Sequence, residues 1–335
     1  MSVVDGLDVP LIVAPMAGGP STPALVNAVA AAGGFGFLAA GYLTVAELER
    51  DMRATRQPYG VNLFAPQPAP ADLREVSAYA SRLADEFARA GVQPGDFHTV
   101  DSTDGWQEKF DLVCRAMTQG WGPAVLSTTF GLPDAAEIRR AHEAGGEVWG
   151  SVTTAAEAAE AVRRGVDVLV VQGPEAGGHR ATFNVAETPS DLPLPELIAQ
   201  MPEVPLVAAG GITDCAPLRL PGVRAIACGT AFLLADEAGT GLMQRELLRS
   251  AQATATTRAF SGRVARGVAT NFMVEHPDAP AVYPHVNSMM GPLRKAAPEY
   301  VAAWAGTGVE SLVQAPAAVI VERLMREWKS QPTQR

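Results

Sequence analysis

One histidine stands where this chain could move a proton. His179 closes the run Gly173-Pro174-Glu175-Ala176-Gly177-Gly178-His179, directly after a valine-rich segment at 166–173. An imidazole with an ordinary pKa of ~6.5 takes or gives a proton near neutrality. The glycines before it let a ligand come close to the backbone. A second feature is a matched pair of glycine sites. Gly210-Gly211 ends one apolar run and Gly229-Thr230 ends the next. N–H groups with no Cβ in front of them, followed by a helix start, suit a phosphate. Either pair alone serves equally well as a strand terminator, but at matching ends of consecutive strands they favour an anion site.

Other candidates carry less. His98 and His142 lie in unremarkable contexts, and His276 and His285 fall in a proline-rich stretch where a substrate-side role has no support. Glu175 could orient His179, although a solvated loop carboxylate is the commoner outcome. Cys228 sits inside an apolar run, so an inert buried thiol is expected. Gly34-Phe35-Gly36-Phe37-Leu38-Ala39 has dinucleotide-fingerprint spacing. It runs from helix into strand, the reverse of what that motif needs. No histidine, cysteine or carboxylate cluster has metal-ligand spacing, so no metal is expected. Arg258, Arg263 and Arg266 could offset an anionic ligand, or simply be exposed arginines on an acidic protein.

The elements that position these residues alternate. Apolar runs at 11–16, 35–40, 59–64, 124–130, 147–153, 166–173, 205–212 and 223–230 are separated by helix-period or loop segments. Helices are expected at 23–32 (capped by Thr22), 44–55, 71–90, 106–119, 133–144, 155–164 and 194–200. Eight short, nearly uninterrupted apolar strands fit a parallel sheet buried on both faces, and eight closes a (β/α)8 TIM barrel. A doubly wound open sheet is the other arrangement of the same pattern. Residues 213–222 are too few for a full crossover helix. The expected division is an α/β barrel at 1–234, a small inserted α/β cap domain at 235–290, and C-terminal helices at 291–335 returning to the barrel. Within that last third, 257–274 reads as strand or loop, and 292–303 and 316–329 read as helices. In such a barrel chemistry gathers at the carboxyl ends of the strands, where phosphates often bind after strands seven and eight.

The bulk numbers bound the function. Of 335 residues, 47% are hydrophobic and 19% charged, enough for a large core. Lys plus Arg total 26 against 36 Asp plus Glu, a net charge of -10. Without a basic run, nucleic acid is not an expected partner. Three scattered cysteines exclude a disulfide scaffold. There is no signal-peptide pattern and no apolar stretch of membrane-spanning length, so no membrane partner and a cytoplasmic location are expected.

A family resemblance follows from the motifs. Ala14-Pro15-Met16-Ala17-Gly18, Gly60-Val61-Asn62-Leu63-Phe64, Gln172-Gly173-x-Glu175-Ala176-Gly177-Gly178-His179, Ala209-Gly210-Gly211-Ile212 and Gly229-Thr230 occur in that order. Together they resemble the nitronate monooxygenase (2-nitropropane dioxygenase) family; flavin-dependent enoyl-ACP reductases share the motifs. The resemblance implies an FMN-containing barrel. Ala14, Pro15, Met16 and Ala17 would lie beside the flavin, Asn62 and Gln172 would hydrogen-bond its polar edge, and Gly177 and Gly178 would line the cofactor. Gly210, Gly211, Gly229 and Thr230 would hold its phosphate, and His179 would be the catalytic base. The implied reaction oxidises an alkyl nitronate, or a nitroalkane after proton loss, with molecular oxygen to a carbonyl compound and nitrite. A homodimer is left open. One branch of the family carries tyrosine, tyrosine and lysine at intervals of four; here that register reads Tyr283, Asn287, Gly291.

Two other functions fit the same residues: an FMN enzyme that spends NAD(P)H on an enoyl thioester or quinone, and a barrel that binds a phosphorylated ligand without turnover.

Overall fold

The structure, a computed structural model, describes residues 2–67 and 72–329. Residue 71, where the third helical segment was expected to begin, and residues 330–335 of the C-terminal segment lie outside the described residues, as does residue 1.

Among the described residues eleven strands form two sheets: β1 Leu11–Val13, β2 Phe35–Ala39, β3 Gly60–Phe64, β4 Val125–Thr129, β5 Glu147–Val152, β6 Val168–Gln172, β7 Gly178–His179, β8 Leu206–Ala209, β9 Val223–Cys228, β10 Thr254–Thr257 and β11 Ala265–Val268. The barrel closes in the order β1-β2-β3-β4-β5-β6-β8-β9. Its neighbours are all parallel, and Leu11–Val13 of β1 pairs with Ile226–Cys228 of β9 to shut the ring. Each expected apolar run holds one barrel strand. The runs lack polar alternation because both faces are covered; every residue of β1 and β2 is buried. Inward, Ile12, Phe35, Phe37, Trp149, Val168 and Val207 fill the barrel floor. Outward, Leu11, Val13, Leu38, Leu126, Val148 and Leu169 pack under the helices.

Local chemistry sets the helix starts. Thr22 accepts from the Leu25 N–H at 3.0 Å and begins Pro23–Ala31. Thr44 with Glu47, and Asp134 with Glu137, form capping boxes for Val45–Ala54 and Ala135–Glu143. Residues 213–222 hold only the 3-10 turn Ala216–Arg219. The helix expected at 292–303 stops at Ala296. Proline follows Ala297, which takes extended backbone (φ -154, ψ 150), so the helix cannot continue. Farther on, Ala317, Ile320, Val321 and Leu324 of the helix Ala317–Leu324 join the barrel's outer core. Among the described residues no helix is long and apolar enough to cross a membrane.

Above the barrel, β10, β11 and β7 form a three-stranded antiparallel sheet. Residues 178–179, in the glycine-rich loop beyond the sixth apolar run, form a strand. Glycine and histidine have no strand preference of their own, so β7 exists because β11 pairs with it. A second apolar cluster joins Val76, Tyr79, Leu83 and Phe87 to Phe260, Phe272, Val286 and Met289. The structure over the barrel mouth is thus assembled from two separate stretches of chain, where the sequence suggested only the later one.

Candidate active site

A cavity of about 260 Å³ opens at the carboxyl ends of the barrel strands. The residues that the resemblance assigned to the cofactor and to catalysis line it: Ala14, Pro15, Met16 and Ala17 after β1, Asn62 on β3, Gln172 on β6, Gly177, Gly178 and His179, Gly210 and Gly211 after β8, and Gly229 and Thr230 after β9. The parallel register puts these chain-distant residues at one end of the barrel.

His179 is fixed by its backbone and its ring. Its neighbours across the small sheet are Ala265 and Arg266, facing His179 and Gly178. The Arg180 N–H donates to the Val264 carbonyl at 2.8 Å. Gln172 Nε2 donates to the His179 carbonyl at 3.0 Å, and Gln172 Oε1 accepts from the Ala181 N–H at 2.9 Å. The ring lies among Phe130, Tyr283 and Trp304, with centroids 5.7, 5.6 and 5.3 Å away. Its Nε2 is 2.9 Å from Ser261 Oγ. Burial, and then the Arg263 and Arg294 charges, push the imidazole pKa down to about 3. The ring is therefore neutral at ordinary pH, and His179 lines the cavity.

At the other end, Gly210 and Gly211 adopt φ +108 and +65, backbone that favours glycine. The N–H groups of Gly210, Gly211, Gly229 and Thr230 have no acceptor among the described residues. Free N–H groups on converging turns are the donor set that a phosphate needs. A Cβ on Gly211 would come within 2.7 Å of Glu175 Cβ and 3.2 Å of Thr307 Oγ1. This glycine is thus set by its backbone and by the chain packed on it. That chain is a strap at 303–308. Gly306 N donates to Thr230 Oγ1 at 2.9 Å and Thr307 N to the Glu175 carbonyl at 3.1 Å. A Cβ on Gly177 would lie 2.5 Å from the Ala305 carbonyl carbon.

Asn62 Nδ2 donates to Ser127 Oγ at 2.9 Å and Thr129 Oγ1 at 3.1 Å. This fixes the amide and leaves capacity on its oxygen. Ala14 N is tied to the Cys228 carbonyl at 3.0 Å and Met16 N to Ser21 Oγ at 2.9 Å, which holds the first loop against the mouth. Cys228 lines the cavity, but burial pushes its thiol up to about 12, so it stays protonated.

The other side-chain expectations divide. Glu175 does not orient His179; Ser261 occupies that position. Arg263 is not exposed. At 1% accessibility it lies in the core, donates to the Thr182 carbonyl at 2.7 Å and to Gln67 Oε1, and packs 4.1 Å over the Phe130 ring. Neither His276 nor His285 lines the cavity. His276 packs at a tilt against Phe272 and approaches Glu86 at 3.5 Å, and His285 Nδ1 meets the Phe97 carbonyl at 2.8 Å. Tyr283 is buried beside His179, its hydroxyl 3.1 Å from that of Tyr42.

Sequence reasoning missed Tyr42, Phe130, Ser261, Trp304 and the strap. Tyr42 and Phe130 hold left-handed backbone (φ 69 and 72), a strained state for aromatic residues that places their rings at the site. Only the small-residue run Ala305-Gly306-Thr307-Gly308 offered a local hint of close chain approach. Among the described residues no group of His, Cys, Asp or Glu could hold a metal ion.

The comparisons with known proteins agree with this geometry. The nitronate monooxygenase family model matches residues 4–327. A nitronate monooxygenase of Paraburkholderia phytofirmans is 36% identical over 97% of this chain and 93% of its own. One from Pseudomonas aeruginosa is 34% identical over 96% of this chain and 97% of its own. The solved structure of a nitroalkane oxidase from Streptomyces ansochromogenes has a TM-score of 0.90 at 36% identity, over 98% of both chains. FabK from Thermotoga maritima shares the fold, with a TM-score of 0.70 at 22% identity over 98% of this chain and 94% of that one. The protein is a flavin-dependent oxidoreductase on a (β/α)8 barrel. It belongs to the nitronate monooxygenase family.

The depressed basicity of His179 has a consequence for stability. The folded chain resists protonating this ring, whereas the unfolded chain protonates it at the ordinary value of 6.5. The cost is absent above that pH and grows as pH falls toward about 3. Urea unfolding of wild type and His179→Asn should show wild type losing ground to the variant as pH drops through that window. A stability difference that stays constant across it would contradict the burial of a neutral imidazole.

Proposed function

We propose that the protein holds FMN in this cavity and oxidises alkyl nitronates with molecular oxygen, giving a carbonyl compound and nitrite. The observation that carries this reading is one cavity with unpartnered N–H groups at one end and a neutral histidine at the other. Gly210, Gly211, Gly229 and Thr230 would hold the phosphate. Ala14, Pro15, Met16, Ala17, Gly177 and Gly178 would line the ring system. Asn62 keeps acceptor capacity for the ring's polar edge, and Gln172 keeps one amide hydrogen and one lone pair. When bound, FMN supplies the electron acceptor, so an anionic nitronate needs no nicotinamide partner.

The chain's own residues handle charge and protons. A nitronate carries a negative charge, and the buried Arg263 and the half-buried Arg294 near His179 favour that form over its neutral parent. A neutral nitroalkane must first lose its α-proton. His179 is uncharged and can take it, while the electron pair of the broken C–H bond moves onto the nitro group. Phe130, Tyr283 and Trp304 around the ring keep bulk water from competing.

Anaerobic mixing tests the reading. A nitronate should bleach the flavin absorbance rapidly and NADPH should not; the reverse would make the enzyme a nicotinamide-dependent reductase. The base is tested separately. His179→Asn should retain FMN, lose about 10²-fold or more of kcat on a neutral nitroalkane, and keep most activity on pre-formed nitronate. Unchanged kinetics on the neutral substrate would remove His179 from proton transfer.

A further inference from the structure

Ser261 is 1% accessible and sits in the turn that leads into β11. Gly262 makes the turn possible: it adopts φ +82, its N–H donates to the Arg258 carbonyl at 2.8 Å, and a Cβ there would strike Val282 at 2.7 Å. The Ser261 hydroxyl oxygen lies 2.9 Å from His179 Nε2, 3.3 Å from the Arg263 carbonyl and 3.4 Å from the Arg263 N–H. His179 Nδ1 has no hydrogen-bond partner among the described residues.

A hydroxyl has one hydrogen to give. The Arg263 carbonyl can only accept, and the Arg263 N–H can only donate. One consistent arrangement satisfies both: the Ser261 hydrogen goes to the carbonyl, and its lone pairs face the Arg263 N–H and Nε2. Nε2 must then carry the ring hydrogen. We infer that Ser261 is a positioning residue that fixes His179 as the Nε2–H tautomer, so that Nδ1 presents its lone pair to the cavity. This rests on the reading of His179 as the base. With a neutral nitroalkane, Nδ1 takes the α-proton, the C–H electron pair passes into the nitro group, and the ring becomes an imidazolium with a hydrogen on each nitrogen. The Nε2–H bond to Ser261 then strengthens, because its donor is charged.

The groups facing the ring sharpen the assignment. They are the rings of Phe130, Tyr283 and Trp304, the cations Arg263 and Arg294, and the Ser261 hydroxyl. Among the described residues no carboxylate pairs with His179. Ser261 is thus the group that can choose the tautomer, and being neutral it does so without making the resting ring strongly basic.

The test uses the FMN-loaded enzyme with ¹⁵N-labelled histidine. The His179 signals are those absent from His179→Asn. Wild type should show a protonated Nε2 and an unprotonated Nδ1, and Ser261→Ala should shift population toward the Nδ1–H form. The same variant should lose about fivefold or more in kcat on a neutral nitroalkane, with KM within about twofold and no loss on pre-formed nitronate. Ser261→Thr, which keeps the hydroxyl, should restore the wild-type tautomer. A wild-type ring found as the Nδ1–H form, or a Ser261→Ala enzyme with unchanged tautomer and kcat, would overturn the inference. The tautomer signal does not depend on turnover. It judges Ser261 even if His179→Asn leaves proton removal untouched, a result that would sink the base reading alone.

Discussion

The pairing of β7 with β11 holds the site together. Two residues, Gly178 and His179, form a strand only because Ala265 and Arg266 lie opposite them. Gln172, at the tip of a barrel strand, clamps the same loop through both ends of its amide. The loop that carries His179 is thereby tied to the barrel on one side and to the small sheet on the other. Without these bonds a glycine-rich loop would spread over many conformations, and the imidazole would seldom face the cavity.

That arrangement sets the electrostatics. The chain as a whole carries a net charge of -10, yet the side chains around His179 are aromatic, cationic or, in Ser261, a neutral hydroxyl. Arg263 is buried without a carboxylate partner among the described residues. Burying such a cation is costly, and here backbone and amide oxygens with the faces of Phe130 and Tyr283 offset the cost. The result is a neutral histidine in a pocket that favours anions. An acidic surface and an anion-favouring cavity coexist because the surface charges are screened by solvent while the buried Arg263 is not.

What could be read from the sequence was local. The eight apolar runs, the Thr22 cap and the short link at 213–222 depend on neighbours in the chain, and each appears in the fold. The glycine pairs and His179 were readable because strand ends converge in a barrel. What escaped depends on contacts between distant residues. Ser261 reaches His179 across 82 residues, and Tyr42 reaches Tyr283 across 241. For Arg263 the sequence left open an anion-facing place and an exposed one; its packing on distant aromatic rings puts it inside. Gly211 carries a constraint that no local pattern shows, since its missing Cβ makes room for Glu175 and the strap.

The most direct test of the site compares FMN with riboflavin, which has the same ring system and no phosphate. Titration of the cofactor-free protein, followed by flavin fluorescence, should give riboflavin an affinity about a hundredfold or more below that of FMN, because only FMN engages the N–H groups at Gly210, Gly211, Gly229 and Thr230. Equal affinity for the two would contradict a phosphate seated at the ends of β8 and β9.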